Sequence, residues 1–374
     1  MQQISTRVGD SVASVATPAL VIDLDAMERN LAAMAAFARS HGVRLRPHAK
    51  MHKSAAIAKA QIAAGAAGVC AQKVSEAEVL ADAGIPDIFI SNEVIDSAKL
   101  TRVAALAARV KLAIAVDSIL GVDSLAHACE AAGSEPDVFV EIDVGQGRCG
   151  VSPAAAGALV HHVVSRGLRF AGLQAYQGGA QHVRGAADRE AAASRAASLV
   201  RTAQASIAAA GISCPLVTGG GTGTFAFDVT SGVYGELQVG SYLFMDGEYA
   251  AIDAAEGAPR FEHALFVKSQ VMSRSASHVV VDAGIKAYAI DAGLPRVWGR
   301  ELEMINFGDE HGILKPSGSG AADDLPQLGE TIWLVPGHCD PTVNLYDTYV
   351  AVRGGLERGA VEALWRVDTR GCMT

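Results

Sequence analysis

The chain has 374 residues, of which 50% are hydrophobic, 5% aromatic and 19% charged. This length exceeds the roughly 100–200 residues of a usual domain, so it predicts a large domain with a smaller one. The net charge of −9 gives no electrostatic reason to expect nucleic acid or an anionic membrane as a partner. No apolar run reaches the about 18 residues of a membrane-spanning helix without a charge, and no secretory signal is apparent, so we expect a soluble, cytoplasmic protein. The six cysteines form no CxxC pair, which argues against a disulfide framework or a structural zinc site.

Short β-branched runs alternate with alanine-rich helical stretches in the first two thirds of the chain, which is typical of βα units on a parallel sheet. The run ALVIDL (19–24) comes first and fits either of two domains. Eight strand candidates follow it, at residues 44–49, 68–72, 87–91, 111–116, 137–143, 169–176, 215–219 and 236–241. Because eight parallel strands form a closed (β/α)8 barrel, we predict an α/β fold with a TIM-like barrel over residues 18–250.

The pattern changes near residue 255. Runs such as ALFVKSQVM, HVVVDAG and TIWLVPG are rich in strand-forming residues, are separated by turns and show no convincing helix. We therefore predict a second, β domain over residues 251–374, to which residues 1–17 are expected to attach.

The stretch RPHAKMHKS (46–54) ends the first predicted barrel strand. The period of two places Arg46, His48 and Lys50 on one face, and Lys50 at the rim where barrels carry their reactive groups. Burial there would lower the pKa of Lys50 toward a nucleophilic amine, so Lys50 is a candidate Schiff-base residue; a salt-bridged strand end is the alternative. Lys53 lies past the strand, and we expect it to be solvated.

Two glycine-rich segments follow predicted strands. GQGRCG (145–150) matches the dinucleotide pattern, but no acidic residue follows at the required distance, so we discount NAD; Arg148 there fits either a ligand contact or a salt bridge with Glu141 or Asp143. TGGGTGT (218–224) suits a phosphate, because its glycines allow close approach of backbone N–H groups and its threonines add donors. A flexible turn is the alternative for this second segment. The segment GSY (240–242) lies after the last predicted strand, where barrels often bind phosphate.

The segment PGHCDPT (336–342) lies in the predicted β domain. If it is extended, His338 and Asp340 project to one side and Cys339 to the other. An imidazole with a carboxylate suits Mn²⁺, Zn²⁺ or Mg²⁺ and leaves positions for water and substrate, as in a catalytic metal site. Considered alone, the triplet favours a turn stabilised by Asp340 before Pro341.

Taken together, these segments resemble the D-threonine aldolases, a family of pyridoxal-phosphate enzymes with an alanine-racemase-like fold, related to 3-hydroxyaspartate aldolases and D-serine dehydratases. The resemblance runs from about residue 17 to the end. It rests on RPHAKMHKS, AQKVSEAE, ISNEV, EIDVGQGRCGV, GLQAYQGGAQH, GGGTGT, GVYGELQVGSYLFMD, DAGIK, DEHG and PGHCDPTVNLYD, which occur in this order. It implies a carbon–carbon lyase acting on a small amino acid, and a homodimer whose active site lies between one subunit's barrel and the other's β domain.

The resemblance also implies roles for individual residues. Lys50 becomes the lysine that binds pyridoxal 5'-phosphate, His182 the base that acts on the substrate hydroxyl, and His338 with Asp340 the ligands of a divalent metal. The expected metal is Mn²⁺, with Mg²⁺, Co²⁺ and Zn²⁺ as alternatives. The cofactor pocket that it implies contains Gln72, Arg148, Tyr176, Gly221, Thr222, Gly240, Ser241 and Tyr242.

Several functions stay open on the sequence. The first is cleavage of D-threonine-like 3-hydroxy amino acids to glycine and an aldehyde. Gln177 stands where the D-threonine aldolase pattern has histidine, so a 3-hydroxyaspartate aldolase that yields glyoxylate is the second. Arg184 is a candidate to bind the extra carboxylate of that substrate, although an exposed arginine at a helix start is the preferred interpretation of this residue. A dehydratase is less favoured, because D-serine dehydratases have H-x-C at the metal where this chain has Asp340. A non-catalytic pyridoxal-phosphate carrier would not need the metal pair.

Overall fold

The computed structural model describes residues 5–317 and 325–374. The first strand, β1 (Ala19–Asp23), leads directly into helix α1 (Leu24–Ser40). The N–H groups of Asp25 and Ala26 lie in the first turn of this helix, where no preceding turn offers a carbonyl acceptor. The Asp23 carboxylate accepts both hydrogen bonds and so caps the start of the helix. Within the described residues, none of the helices has the length and apolar character needed to cross a membrane.

The predicted barrel is confirmed. Its sheet has eight parallel strands in the order β2-β9-β8-β7-β6-β5-β4-β3, and the bridge between His48 and Cys70 joins the two ends of this order. All eight predicted strands are present, although several are shorter than predicted. Their bounds are β2 (Arg44–Leu45), β3 (Val69–Ala71), β4 (Asp87–Ile90), β5 (Lys111–Val116), β6 (Asp137–Glu141), β7 (Arg169–Ala175), β8 (Val217–Gly219) and β9 (Glu236–Leu237).

Helices cover the outside of the barrel, and their alanine, leucine and valine side chains pack on the outward faces of the strands. Inside the barrel, the rings of Phe89 and Phe139 lie 4.8 Å apart. Beside them, the buried Arg46 guanidinium pairs with Asp87 and Glu236, which satisfies its charge away from water. The helices that follow α1 are α2 (Ala55–Ala63), α3 (Val74–Asp82), α4 (Ser97–Ala107), α5 (Ile119–Ala132), α6 (Ala156–Ser165), α7 (Ala186–Ala209) and α8 (Phe225–Thr230).

Within the described residues, the C-terminal part contributes eight strands to a second, mostly antiparallel sheet, which confirms the predicted β fold of this part. It also has one short helix that was not predicted, α9 (Cys339–Val343). The strands that follow the barrel are β10 (Leu265–Arg274), β11 (Val279–Val281), β12 (Arg296–Val297), β13 (Leu302–Phe307), β14 (Gly312–Pro316), β15 (Thr331–Val335), β16 (Thr348–Arg353) and β17 (Ala360–Arg366).

Strand β1 belongs to this second sheet, where it pairs with β10 and β16. The predicted start of the barrel domain at residue 18 must therefore move past Asp23. The N-terminal segment also attaches here, because Gly9 donates to the carbonyl of Val361 and Val12 to that of Gly359. Residues 1–4 of the predicted attachment lie outside the described residues.

A continuous apolar cluster joins the two sheets, with contributions from the first helix, the last barrel strand and the second sheet. At its centre, the fully buried Tyr349 of β16 donates its hydroxyl to the carbonyl of His52, in the turn after β2, at 2.6 Å. This contact packs the second sheet against the C-terminal end of the barrel. It also brings α9 close to the segment that contains Lys50.

Candidate active site

A cavity of about 250 Å³ opens at the C-terminal ends of the barrel strands, where this fold places its reactive groups. Two of the predicted site residues, Tyr242 and His338, do not line it. The others that line it are Lys50, Gln72, Arg148, Tyr176, His182, Gly221, Thr222, Gly240, Ser241 and Asp340. The fold therefore brings most of the residues predicted from the sequence into one cavity, although they are spread over nearly 300 residues of the chain.

Lys50 lies in the turn that follows β2. Its Nζ donates to Asp340 Oδ1 at 2.7 Å, and 45% of the side chain is exposed. The Asp340 carboxylate raises the pKa of Lys50, while burial acts in the opposite direction. The predicted lowering of this pKa is therefore wrong, because a carboxylate in contact with the ammonium outweighs its partial desolvation.

The floor of the cavity below Lys50 is polar and uncharged. His48 Nε2 lies 3.1 Å from the amide oxygen of Gln72 and 3.2 Å from the Ser91 hydroxyl. Burial, reinforced by the nearby charge of Lys50, lowers the pKa of His48 to about 3, so the imidazole is neutral at pH 7.

Lys53 is buried, which corrects the prediction that it is solvated. Its Nζ lies 2.6 Å from Glu76 Oε1, with the two side chains 11% and 4% exposed. The other oxygen of Glu76 accepts the N–H groups of Gln72 and Lys73 at the start of α3. The pair therefore fixes the backbone that presents Gln72 to the cavity.

Backbone donors surround one end of the cavity. The N–H groups of Gly221, Thr222 and Ser241 make no hydrogen bond to any residue in the described part of the chain. Their residues line the cavity at the ends of β8 and β9. Unpartnered N–H groups at a glycine-rich turn form an anion-binding concavity, so this end fits a phosphate group.

The glycines of this turn are required by close packing. A Cβ on Gly223 would lie 2.1 Å from the carbonyl oxygen of Gln181, and one on Gly220, which has φ +71°, would lie 2.7 Å from Asp228 Oδ2. Thr224 was predicted as a further phosphate donor, but its hydroxyl donates to Asp228 at 2.5 Å and accepts from Gln181. Thr222 therefore remains as the threonine that faces the cavity.

Tyr242 lies outside the cavity and supports it by holding Thr222 through its backbone N–H. Its N–H donates to the Thr222 hydroxyl at 2.9 Å, and its fully buried ring places the phenol oxygen 3.3 Å from the amide nitrogen of Gln61. Tyr242 was predicted as part of the phosphate-binding segment GSY, and its ring lies in the apolar layer between the two sheets.

Of the two readings that the sequence left open for Arg148, the structure has the salt bridge with Glu141, and it adds a contact with Tyr176. Its guanidinium carbon lies 5.7 Å from the centre of the Tyr176 ring, and one nitrogen lies 3.7 Å from Glu141 Oε1. Burial raises the pKa of Tyr176, so its phenol is neutral. The two side chains form a flat cationic and aromatic wall on one side of the cavity.

His182 also lines the cavity. Its Nδ1 lies 3.1 Å from Glu248 Oε1, its ring centre lies 5.0 Å from that of Tyr249, and 41% of the side chain is exposed. When Nδ1 donates to Glu248, Nε2 is left as the acceptor, which is the form required of a general base.

The metal-ligand candidates lie where β15 leads into α9. The predicted extended conformation is wrong beyond His338, because the helix begins at Cys339, whose N–H donates to the buried Asp246 carboxylate. The helical turn nevertheless leaves His338 Nε2 only 3.6 Å from Asp340 Oδ2.

His338 and Asp340 each lie between groups of opposite charge. Burial opposes protonation of His338, but Asp340 and Asp291 outweigh it and raise its pKa to about 9. Lys50 and His338 together hold the pKa of Asp340 far below its usual range, although burial acts against them. An imidazole and a carboxylate in contact are a donor set that suits a borderline or hard divalent cation.

The second-sheet groups reach the cavity within a single chain, since Lys50 and Asp340 are 290 residues apart in the same polypeptide. The resemblance implied that the β domain of another subunit contributes to the site. For Asp340, that expectation has to be corrected: the apolar contact between the two sheets already places it at the barrel mouth.

Two acidic partners of the candidate histidines were missed in the sequence. Glu248 contacts His182, and Asp291 Oδ2 lies 2.6 Å from His338 Nδ1. Both acids lie in irregular segments far along the chain from their partners, so neither spacing nor periodicity could have paired them. The sequence offered only the general expectation that a catalytic or metal-binding histidine often has an acidic residue as its partner.

Comparison with known proteins agrees with this architecture. Residues 22–248 match the family described as "Alanine racemase, N-terminal domain", and residues 264–352 match "Putative serine dehydratase domain". A D-threonine aldolase from Arthrobacter sp. is 46% identical over 367 residues, which cover 97% of this chain and 95% of that protein. A 3-hydroxy-D-aspartate aldolase from Paracoccus denitrificans is 42% identical over 373 residues, which cover 97% and 94%. The crystal structure of D-threonine aldolase from Filomicrobium marinum has a TM-score of 0.96 at 48% identity, with both chains fully covered.

The barrel, the second sheet and the cavity between them define an alanine-racemase-like protein. Within that fold, the chain belongs to the D-threonine aldolase family. The resemblance seen in the sequence is thus confirmed, together with the predicted enzyme class, an aldolase among the carbon–carbon lyases.

Proposed function

We propose that the protein is an aldolase that uses pyridoxal 5'-phosphate and a divalent metal to cleave D-threonine-like D-3-hydroxy amino acids to glycine and an aldehyde. The observation that carries the proposal is the 2.7 Å contact between Lys50 Nζ and Asp340 Oδ1. It joins an amine suited to the cofactor's carbonyl group with one half of a metal-ligand pair. The relationship to the Arthrobacter aldolase supports the reaction class.

The residues around the cavity suit pyridoxal phosphate. The backbone N–H groups of Gly221, Thr222 and Ser241 would hold the phosphate, and Arg148 and Tyr176 would flank the ring. Gln72 and Gly240 complete the wall beside Lys50. When bound, the cofactor supplies an electron sink for the electron pair of the broken Cα–Cβ bond.

His182 is the group proposed to take the proton. As the Cα–Cβ bond breaks, the 3-hydroxyl must lose its proton so that its oxygen becomes the carbonyl of the aldehyde. Nε2 of His182 accepts it, directly or through one water. Glu248 orients the ring through Nδ1 and stabilises the imidazolium that results.

His338 and Asp340 are the proposed metal ligands, and Asp291 orients His338 through Nδ1. A divalent cation bound there supplies Lewis-acid polarisation of the substrate hydroxyl. We propose Mn²⁺ as the working metal, with Mg²⁺, Co²⁺ and Zn²⁺ as alternatives. Removal with EDTA followed by return of each ion separately identifies it, and full turnover in EDTA would contradict the role of the pair.

The 3-hydroxyaspartate alternative is favoured by the Paracoccus relative and by Gln177. Its substrate carries an extra carboxylate that needs a cation. Arg184, the predicted candidate, is exposed and does not line the cavity, and Arg148 is engaged with Glu141 and Tyr176. The D-threonine type is therefore the better supported of the two. Asp340 at the metal makes a dehydratase less favoured, and retention of the whole pair argues against a non-catalytic carrier.

One experiment separates these functions. The purified protein with pyridoxal phosphate and Mn²⁺ is incubated with D-threonine, D-3-hydroxyaspartate or D-serine, and the carbonyl product is identified by mass spectrometry. Acetaldehyde supports the proposal, glyoxylate supports the alternative, pyruvate indicates a dehydratase, and no product supports the carrier. Borohydride reduction should attach the cofactor to the peptide that contains Lys50, and attachment elsewhere would refute the role of Lys50.

We further propose that the protein is a homodimer, as the resemblance implies. Sedimentation velocity over a range of protein concentrations tests this, and a monomer at all concentrations would contradict it.

A further inference from the structure

The segment GQGRCG (145–150) forms a closed loop after β6. Its first turn is fixed by Asp143, whose Oδ1 accepts the N–H groups of Gly145 and Gly147 at 2.8 and 3.0 Å. Its end returns to the strand through a bridge between Ile142 and Val151. The return carries Cys149 back to the C-terminal rim of the barrel strands.

Three potential metal ligands meet at this rim. Glu93 follows β4, Asp117 follows β5, and Cys149 lies in the loop after β6, so neighbouring parallel strands bring them together. One ligand atom from each lies within 4.8 Å of the other two. This spacing allows a single ion at about 2.0–2.3 Å from each atom. None of the three lines the cavity that contains Lys50.

A buried, unsatisfied carboxylate points to a ligand at this cluster. Glu141, at the end of β6, is 3% exposed, and its Oε2 is buried without a partner in the described part of the chain. Its carboxyl lies within hydrogen-bonding reach of Glu93, whose own Oε1 is equally buried and unpartnered. Arg148 faces only the other oxygen of Glu141, at 3.7 Å. Burial and the facing Glu93 carboxylate raise the pKa of Glu141 to about 9, so without a cation the two carboxyl groups share a proton. A divalent cation at the cluster would displace that proton to solvent and supply the positive charge in its place.

We propose that Glu93, Asp117 and Cys149 bind a second divalent cation, with Glu141 Oε2 directed toward it. One thiolate with carboxylates suits a borderline ion such as Zn²⁺ or Co²⁺ better than Mg²⁺ or Ca²⁺. The ion replaces the thiol proton of Cys149, which passes to solvent. Its position ties the loop that carries Arg148 to the ends of β4 and β5, so it is a structural cation beside the cavity.

Zinc content provides the test. The full chain is equilibrated with Zn²⁺ by dialysis, and bound zinc per chain is measured by elemental analysis for the wild type, for Cys149→Ser and for the double variant His338→Ala/Asp340→Asn. We expect two ions in the wild type and one in each variant. Equal zinc content in the wild type and Cys149→Ser overturns the proposal. Loss of zinc only in the double variant does so as well, whereas loss only in Cys149→Ser leaves this site standing and counts against the proposed catalytic metal.

A second measurement uses chains that keep Cys149. Zn²⁺ should slow alkylation of Cys149 by iodoacetamide at least tenfold, as read by mass spectrometry of its peptide. The half-buried Cys214 and Cys372 serve as references in the same sample. Asp117→Asn should abolish the protection. Alkylation of Cys149 at the same rate with and without Zn²⁺ would overturn the site even if Cys149→Ser fails to fold.

Discussion

Replacement of Glu76 by glutamine should destabilise the barrel by about 3–5 kcal/mol, because it leaves the Lys53 ammonium buried without its counter-charge. The two charges are 2.6 Å apart, and the side chains are 11% and 4% exposed, so water cannot take over from the lost carboxylate. Glutamine keeps the shape of the side chain and an acceptor for the N–H groups of Gln72 and Lys73. The expected loss therefore reports the charge pair rather than the helix cap.

Urea denaturation followed by circular dichroism measures this loss, and the melting temperature should fall by about 6–10 °C for a domain of this size. The double variant Lys53→Met/Glu76→Gln should recover part of the stability, because it removes the unpaired ammonium as well. Arg29→Gln breaks a surface pair with Glu262 that is about half exposed and serves as the control, with a change within about 1 kcal/mol. A loss below about 1 kcal/mol in Glu76→Gln would refute the argument from burial.

Three further predictions concern the site and its support. Glu248→Gln should lower kcat about tenfold with little change in KM, because His182 loses the charge that stabilises its imidazolium; steady-state kinetics across pH measure this. Gly223→Ala should cost about 1–3 kcal/mol in urea denaturation, since the new methyl group would overlap the carbonyl of Gln181. Burial lowers the pKa of His52 to about 4, so the unfolded chain binds more protons below pH 6.5, and stability is lost as the pH falls; His52→Gln should lessen that loss by about 2 kcal/mol between pH 6.5 and 5.

Each of these predictions has a matched comparison. Arg184→Ala changes an exposed residue near His182 and should leave kcat unaltered, so an equal loss there would remove the case for Glu248. Gly308→Ala adds a methyl group where nothing lies within 4 Å, and equal destabilisation would contradict the packing argument for Gly223. An acid slope that is the same with and without His52 would show that other groups carry the pH dependence.

The barrel could be predicted because each of its strands is a local signal. Runs such as KLAIAV and DVFVEID are buried on both faces of a parallel sheet and so appear as short, nearly continuous apolar segments. Strand β1 has the same kind of composition, but its partners are more than 240 residues away, in β10 and β16. Its composition identifies a strand and does not identify the sheet, which explains the misplaced domain boundary.

The site residues also differ in whether a local sequence signal could locate them. Groups at the ends of predicted strands, such as Lys50 and Thr222, could be located because parallel strands present their C-terminal ends together. Lys53 was misjudged because the environment of an amphipathic side chain depends on what packs over it, here Glu76 of α3. Glu248 depends on a loop-to-loop contact with no sequence period.

The raised pKa of Lys50 implies that protonation of this amine and metal binding at Asp340 are coupled. Its largest cause is the Asp340 carboxylate, which the ammonium would share with the proposed metal ion. A cation held by His338 and Asp340 draws on the same carboxylate, so it should weaken the pairing that favours the ammonium form. By linkage, a metal that lowers the pKa of Lys50 binds more tightly when that amine is neutral or absent.

This reasoning gives a prediction that does not depend on turnover. In protein freed of pyridoxal phosphate, Mn²⁺ should shift the pH midpoint of Lys50 labelling by an amine-acylating reagent to lower values, as measured from its peptide by mass spectrometry. Lys50→Met should bind Mn²⁺ about five- to tenfold more tightly. The Lys50 ammonium competes with the metal for the Asp340 carboxylate, and losing a half-exposed ion pair of this kind changes the binding free energy by about 1 kcal/mol. The shift should vanish in His338→Ala. A midpoint unmoved by Mn²⁺ would mean that the amine and the metal pair are energetically independent despite their contact, and the pKa lowering that a nucleophilic Lys50 requires would then have to come from another source.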